Sequence, residues 1–428
     1  MSLAQHTEPQ TQTAEAQLNK EAPRPQAIAD RQRVMLQGPI MPTLLRLALP
    51  TMVVLLVQAF VGVAETYFVS FLGTEALAGT ALVLPVLMLM QTMSNGGMGG
   101  GVASAVARAL GAGRRADADA LVLHALVLAV LFGFAFAIAE LLGDRALYKA
   151  LGGEGRAPEN ALAYGNVVFG GACLVWIVSL LAAVLRGTGN VVVPAAVTLG
   201  SIFVVLPLSP TLIFGVGPLP RLGITGAGLD VIVYYVIAAA VLIVYLRSSH
   251  SLVRLSFDLR RIERRLLADI LRVGGLASIG TIQSNLTVVL VTATVGIFGT
   301  SAIAGYGIAS RLDYLLIPLI FGLGSAALTM VGTNIGAGLA ARAERIVLLT
   351  GLVAAGLTEA IGVAAAAFPS GWIGLFTAEP EVLATGSHYL RIVGPFYGLI
   401  GLGLLLYFAG QGRALAGSAG LCLRAWCD

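Results

Sequence analysis

Leu72-Gly73-Thr74-Glu75-Ala76-Leu77-Ala78-Gly79 returns 226 residues later as Phe298-Gly299-Thr300-Ser301-Ala302-Ile303-Ala304-Gly305. The offset holds on both sides of this pair. Leu45-Arg46-Leu47 aligns with Leu271-Arg272-Val273 at 226, and Leu110-Gly111-Ala112-Gly113 with Ile335-Gly336-Ala337-Gly338 at 225. Arg186-Gly187-Thr188-Gly189 aligns loosely with Ala409-Gly410-Gln411-Gly412 at 223. Four matches in order at nearly one offset mark an internal duplication. Apolar segments occupy 44–68, 81–104, 121–142, 163–185, 191–216, 225–246, 273–298, 303–330, 346–368 and 388–409. Each is long enough for the roughly 20 residues that a bilayer core requires. Six precede the restart of the repeat. Six is even, so both halves enter the membrane in the same direction and the axis relating them runs along the membrane normal. The expected fold is an all-α, polytopic membrane protein. Its two six-helix lobes are related by a pseudo-two-fold axis, and a cleft lies between them. In the fifth segment, Pro194, Pro207 and Pro210 predict a broken outer end.

Composition agrees with this reading. Hydrophobic residues are 57% of the 428 and charged residues 11%, too few to cover a soluble surface of this size. Arginine outnumbers lysine 24 to 2. With the N-terminus inside, 19 Lys and Arg fall on the inner side and 4 (Arg145, Lys149, Arg156, Arg221) on the outer, so the N-terminus is expected to be cytoplasmic. Residues 1–43, polar and rich in Gln, Ala and Pro, read as a disordered cytoplasmic tail. The lobes are expected at 44–246 (helices 1–6) and 272–428 (helices 7–10 and a stub of helix 11), joined by a basic cytoplasmic linker at 247–271. Extending the first repeat by its own offset carries the second to about residue 470. Helix 12 is therefore expected to be absent and the second lobe incomplete. The expected location is the inner (cytoplasmic) membrane.

Most enzymatic chemistry lacks its parts. Neither Lys20 nor Lys149 follows a glycine, so there is no phosphate-binding loop of the Walker type. His6, His124, His250 and His388 have no metal-ligand spacing, and Cys173, Cys422 and Cys427 make no disulfide framework. The run Gly96–Gly101 sits inside an apolar segment and reads as a helix-packing surface. What remains is a set of acids within spans: Glu65, Glu140, Asp230, Asp313 and Glu359. Each is costly in hydrocarbon and should face a cavity, a partner or an interface. Glu140 lies near the outer end of its segment and could reach the headgroups. Asp313 follows Arg311 by two residues and could pair with it. Glu359 has no evident partner. Glu65 stands out, because Thr51, Gln58 and Glu65 recur every seven residues and form one polar stripe on an apolar helix. Either a binding cleft or a hydrogen-bonded neighbouring helix would account for the stripe.

Taken together, several motifs resemble the MATE (multidrug and toxic compound extrusion) transporters. They are Leu49-Pro50, Val63-Ala64-Glu65-Thr66, Phe71-Leu72-Gly73, Ala109-Leu110-Gly111-Ala112-Gly113 and Arg186-Gly187-Thr188-Gly189-Asn190. Leu212-Ile213-Phe214-Gly215, Ser310-Arg311-Leu312-Asp313 and Gly332–Gly338 complete the set, which spans about 44–412. The resemblance implies twelve helices and efflux of amphipathic organic cations driven by H+ or Na+. It places Glu65 where the family has an ion-coupling aspartate. The fifth-helix Asn and Asp of the family are replaced by Val205 and Ser209. The stretch Thr281-Ile282-Gln283-Ser284-Asn285 and the segment 395–409 lack the acids of the sodium-coupled branch. A Na+ ion wants several oxygen ligands, so H+ is the expected coupling ion.

The expected function is secondary antiport of cationic drugs or metabolites through the cleft. Glu65 would couple the ion, and Thr51, Gln58, Asp230, Gln283, Asn285 and Asp313 are candidate polar residues of the cavity. Alternatives are a lipid-linked oligosaccharide flippase, which would need several cavity arginines where only Arg311 lies deep in a span, and a membrane-embedded transferase, which would need an acid cluster. No cofactor, metal site or nucleic-acid partner is expected; the partners are the substrate and the bilayer, and the protein is expected to be a monomer. The repeat aligns Gln58 with Ser284 and Glu65 with Val291, so coupling is assigned to the first lobe alone.

Overall fold

The computed structural model describes residues 26–150, 155–215, 220–258 and 262–413, and every regular element among them is helical. Helix α1 covers Gln26–Gln37 and α2 Ile40–Ser70. Helix α3 runs Thr74–Gly111 with a π-helical turn at Met93–Met98. Helix α4 is Arg115–Ala150; α5 (Ala157–Gly170) and α6 (Ala172–Gly187) are bent by 48° at their junction. Helices α7 (Val192–Phe214) and α8 (Ile224–Arg247) complete the first lobe. The second lobe contains α9 (Arg264–Gly296), α10 (Thr300–Gly336), α11 (Ala340–Ala367), the short α12 (Pro369–Ile373) and α13 (Pro380–Val393). A 3-10 turn at Gly394–Phe396 leads from α13 into α14 (Tyr397–Gly412). Nine helices among the described residues are long and apolar enough to cross a membrane, ten if the bent α5–α6 pair is one span. Hydrocarbon offers no partner to backbone N–H and C=O groups, so a spanning chain of this composition must be helical.

The two-fold relation is visible in hydrogen bonds. At the end of α3, Arg114 N–H donates to the Ala109 carbonyl (2.9 Å) and Gly113 N–H to that of Leu110 (3.1 Å). At the end of α10, Leu339 N–H donates to Asn334 (2.8 Å) and Gly338 N–H to Ile335 (3.1 Å). Both are Schellman caps, and Gly113 (φ 72°) and Gly338 (φ 76°) supply the left-handed residue each requires. The two helix ends meet across the lobe boundary. A Cβ on Gly111 would run into the Thr333 carbonyl oxygen, and one on Gly336 into the Arg108 carbonyl oxygen. Arg108 and Thr333 are themselves equivalent in the repeat, so this is one contact made twice, with the axis passing between Gly111 and Gly336.

Other inter-lobe contacts lie at the same end, the end that carries most arginines. Gly97 packs on Ser278 and Gly101 on Gly274, joining α3 to α9, and Gly322 packs on Met52, joining α10 to α2. The Arg108 guanidinium donates to Ser104 Oγ and pairs with Asp269 Oδ1 (2.8 Å), while Ser104 Oγ donates to the Gln411 carbonyl. The glycine run is thus a packing surface against the second lobe. At the far end, Phe60, Val63 and Tyr67 on α2 and Val288, Val289 and Leu290 on α9 are exposed.

Three expectations change. Residues 26–37 are helical rather than disordered: Met35 is buried against Gly189, Asn334 Nδ2 donates to the Met35 carbonyl (3.2 Å), and Arg342 donates to the Gly38 carbonyl. The apolar run Val34-Met35-Leu36 supplies the face that docks there. Helix α2 then starts at Ile40, so the tail expected at 1–43 shortens; residues 1–25 lie outside the described ones. The linker is also shorter than 247–271, since α9 begins at Arg264 with Leu266, Ile270 and Val273 buried at helical spacing. The fifth span is not broken; α7 runs through Pro207 and Pro210 to a left-handed cap at Gly215. In hydrocarbon, a helix that keeps its remaining bonds costs less than an open chain that loses them all. The expected helix 11 stub lies outside the described residues.

Glu359 acquires a partner. Its Oε2 accepts the Gly398 N–H at 2.7 Å, in the first turn of α14, where Pro395 has interrupted the tenth span. A carboxylate there also suits the positive end of the helix. Glu359→Ala is expected to lower stability by about 1–2 kcal/mol in thermal unfolding in detergent, and Glu359→Gln by less because it keeps an acceptor. Equal losses for both would remove this role.

Candidate functional site

The polar stripe of α2 turns into the first lobe. Gln58 Nε2 donates to the Tyr234 hydroxyl (3.3 Å), and Glu65, two turns further, lies within electrostatic reach of Tyr164, Asp230, Tyr234 and Tyr235. Asp230 and Tyr234 are one turn apart on α8 and so share a face. Thr198 of α7 stands beside the Tyr234 hydroxyl and Gln91 of α3 beside that of Tyr235. The two tyrosine rings pack edge to face, 4.8 Å between centroids. Five helices thus converge on one acidic, hydroxyl-rich cluster.

Asp230 is 1% exposed, and neither of its carboxylate oxygens has a hydrogen-bond partner among the described residues. Neither Glu65 nor Asp230 forms an ion pair within them. A buried carboxylate without donor or counter-charge is among the most expensive groups a protein can hold. With the half-buried Glu65 within electrostatic reach, the ionised form of Asp230 is costlier still, and a cation, as simple as a proton on an oxygen, relieves that cost.

Of the sequence candidates, the structure unites Gln58, Glu65 and Asp230. Thr51 lies nearer the arginine-rich end, half-buried, in the part of α2 that packs on α10. Gln283 is exposed on α9, and Asn285 Nδ2 donates back to the Thr281 carbonyl of its own helix (2.9 Å). Asp313 belongs to a separate group in the second lobe, near Tyr389 and Tyr397, with Tyr306 packed edge to face on Tyr389 at 5.4 Å. It is not paired with Arg311, whose guanidinium lies 5.6 Å from the Phe376 ring centroid. Residues two apart on a helix face different ways. Glu140 does not reach outward; it is 5% exposed and accepts the Tyr148 hydroxyl. Sequence reasoning missed Tyr164, Tyr234, Tyr235, Thr198 and Gln91. A signal was there for the α8 pair, since Tyr234-Tyr235 follows Asp230 by one turn in an otherwise aliphatic segment.

The sequence profile of MatE matches residues 50–211 and 277–418, one stretch in each lobe. A protein named FAD transporter from Shewanella oneidensis is 27% identical over 376 residues, covering 88% of this chain and 82% of its own. Multidrug export protein MepA of Staphylococcus aureus is 25% identical over 393 residues, covering 88% and 83%. Among solved structures, a MATE protein in a bent conformation superposes with TM-score 0.81 at 25% identity, covering 89% of this chain and 84% of the other. An outward-facing multidrug resistance MATE transporter of the MOP superfamily gives 0.79 at 25%, covering 88% and 84%.

Proposed function

The chain belongs to the MatE family, and we propose that it exports amphipathic, mostly cationic drugs or metabolites in exchange for protons. It is a membrane transporter and not an enzyme. The observation that carries the proton reading is the pair of a half-buried Glu65 and a buried Asp230, without an ion pair among the described residues and with both Asp230 oxygens bare. A proton neutralises a bare carboxylate without a coordination shell, whereas Na+ needs several oxygens placed around it. In this reading a proton enters from the far side, where the α2 and α9 surfaces are exposed, and displaces the cationic substrate. Its release on the arginine-rich side, which we take as cytoplasmic, restores the negative charge that attracts the next substrate. Competition for the same carboxylates couples the two fluxes. We take the protein as a monomer of the inner membrane.

The test is transport in proteoliposomes under a pH gradient or a Na+ gradient alone, with ethidium as substrate. Efflux driven by the pH gradient and indifferent to Na+ is expected; the reverse would overturn the proton assignment. Asp230→Asn is expected to reduce pH-driven efflux roughly tenfold, the factor set by about 1.4 kcal/mol, with the fold preserved because no donor loses a partner. Unchanged efflux would remove Asp230 from the coupling site. FAD belongs in the substrate panel because of the Shewanella relative's name. Its phosphates are disfavoured by an all-acidic first-lobe cluster, so ethidium is expected to be the better substrate.

A further inference from the structure

At the arginine-rich end, away from Glu65, a cavity of about 440 Å³ opens between α3 and α4 of the first lobe and α9 of the second. Its charged lining is Arg108, Arg114, Arg265, Arg272, Asp117 and Asp269. Arg108 is held by Asp269 at 2.8 Å. Arg114 and Arg265 share a single carboxylate, Asp117, each at 3.0 Å, and Arg265 also meets Glu263 at 3.3 Å. Arg272 has no ion pair or hydrogen bond among the described residues. Four guanidinium groups therefore face two carboxylates inside the pocket, and the surplus is positive. Leu121 and Leu266 add an apolar wall. The pocket sits where α3 ends and α4 and α9 begin, which is the depth of the headgroups on that side of the membrane.

We propose that this cavity binds the phosphate of an anionic lipid headgroup. Guanidinium forks match phosphate oxygens in pairs, and basic pockets between spans at the membrane surface are suited to anionic headgroups. The lining fits a phosphate group: the arginines meet its oxygens, and the buried Leu121 and Leu266 close the wall behind them. The pocket draws its walls from both lobes, so an occupant favours the arrangement in which those walls face each other. It therefore holds the lobes together at the end where Gly111 and Gly336 already touch.

The test uses the full chain in nanodiscs of phosphatidylcholine alone or with phosphatidylglycerol, read by thermal unfolding and by native mass spectrometry of retained lipid. Phosphatidylglycerol is expected to raise the unfolding temperature and to remain bound. Arg272→Gln and Arg265→Gln, both exposed residues, are each expected to weaken retention about fivefold, corresponding to roughly 1 kcal/mol per basic residue near an anionic surface. Asp117→Asn releases two arginines and is expected to tighten retention, which loss of a merely structural ion pair would not do. Inorganic phosphate added to phosphatidylcholine nanodiscs separates the sources: stabilisation matching that of phosphatidylglycerol assigns the site to soluble phosphate. Equal behaviour of the two lipids with no phosphate effect, or retention unchanged in the Arg272 and Arg265 variants, overturns the proposal.

Discussion

Glu65→Gln is expected to abolish proton-driven efflux while leaving expression and folding intact. Glutamine keeps the shape of glutamate and removes only the exchangeable charge. The hydrogen bond that fixes this face of α2, from Gln58 to Tyr234, does not involve Glu65 and survives. Asp230 is left as the only carboxylate of the cluster and, at 1% exposed, does not take over the exchange carried by the half-buried Glu65. Glu65→Asp retains the carboxylate one methylene shorter and is expected to keep much of the activity. The measurement is ethidium efflux in a pump-deficient host, with pH-driven flux in proteoliposomes to separate coupling from expression. Full activity of the Gln variant would end the assignment. Gln283→Ala and Asn285→Ala serve as controls. Gln283 is exposed, and Asn285 is turned onto its own helix, so both are expected to remain coupled.

The architecture was legible because hydrocarbon leaves so few choices. Apolar length gives the spans, and an even count before the restart gives parallel lobes; the Schellman caps at Gly113 and Gly338 are the structural form of the repeated tetrapeptides Leu110-Gly111-Ala112-Gly113 and Ile335-Gly336-Ala337-Gly338. The misreadings share a cause. Pro207 and Pro210 would end a helix in water but do not where hydrocarbon leaves the backbone no other partner, and the docking of α1 depends on a surface made of both lobes, Gly189 on one side and Asn334 on the other. The site was legible in part. Glu65 and Gln58 lie on one helix, so their periodicity shows in the sequence. Tyr164, Thr198 and Gln91 come from three other helices, and no spacing along the chain records that convergence. Asp313 shows the converse. It is as unusual in composition as Asp230 but lies among tyrosines of the other lobe, so an acid in a span points to a neighbourhood without saying which.

A side chain at Gly111 or Gly336 is expected to stop transport by keeping the lobes from closing at the arginine-rich end. Each glycine faces a carbonyl oxygen of the other lobe, Thr333 for Gly111 and Arg108 for Gly336, and that oxygen belongs to a helix backbone that cannot swing aside. Even a methyl group forces the helices apart, and overpacking of this kind costs about 1–3 kcal/mol. The cost falls only on the closed arrangement, so the equilibrium shifts away from it by roughly one to two factors of ten. Because the two contacts are equivalent about the axis, Gly111→Leu and Gly336→Leu should behave alike. Both are expected to retain substrate binding, to lose at least about tenfold in efflux, and to expose a cysteine placed at Ser104 to a water-soluble thiol reagent. Ser104 is fully buried in the closed arrangement, so labelling reports the opening directly. Gly403→Leu is the control, since a Cβ there meets nothing within 4 Å. A Gly111→Leu variant that transports normally would mean that the lobes do not need this contact in any state of the cycle. If instead efflux falls with Ser104 still shielded, the loss lies in folding rather than in closure, and the thermal unfolding curve of the same sample would show it.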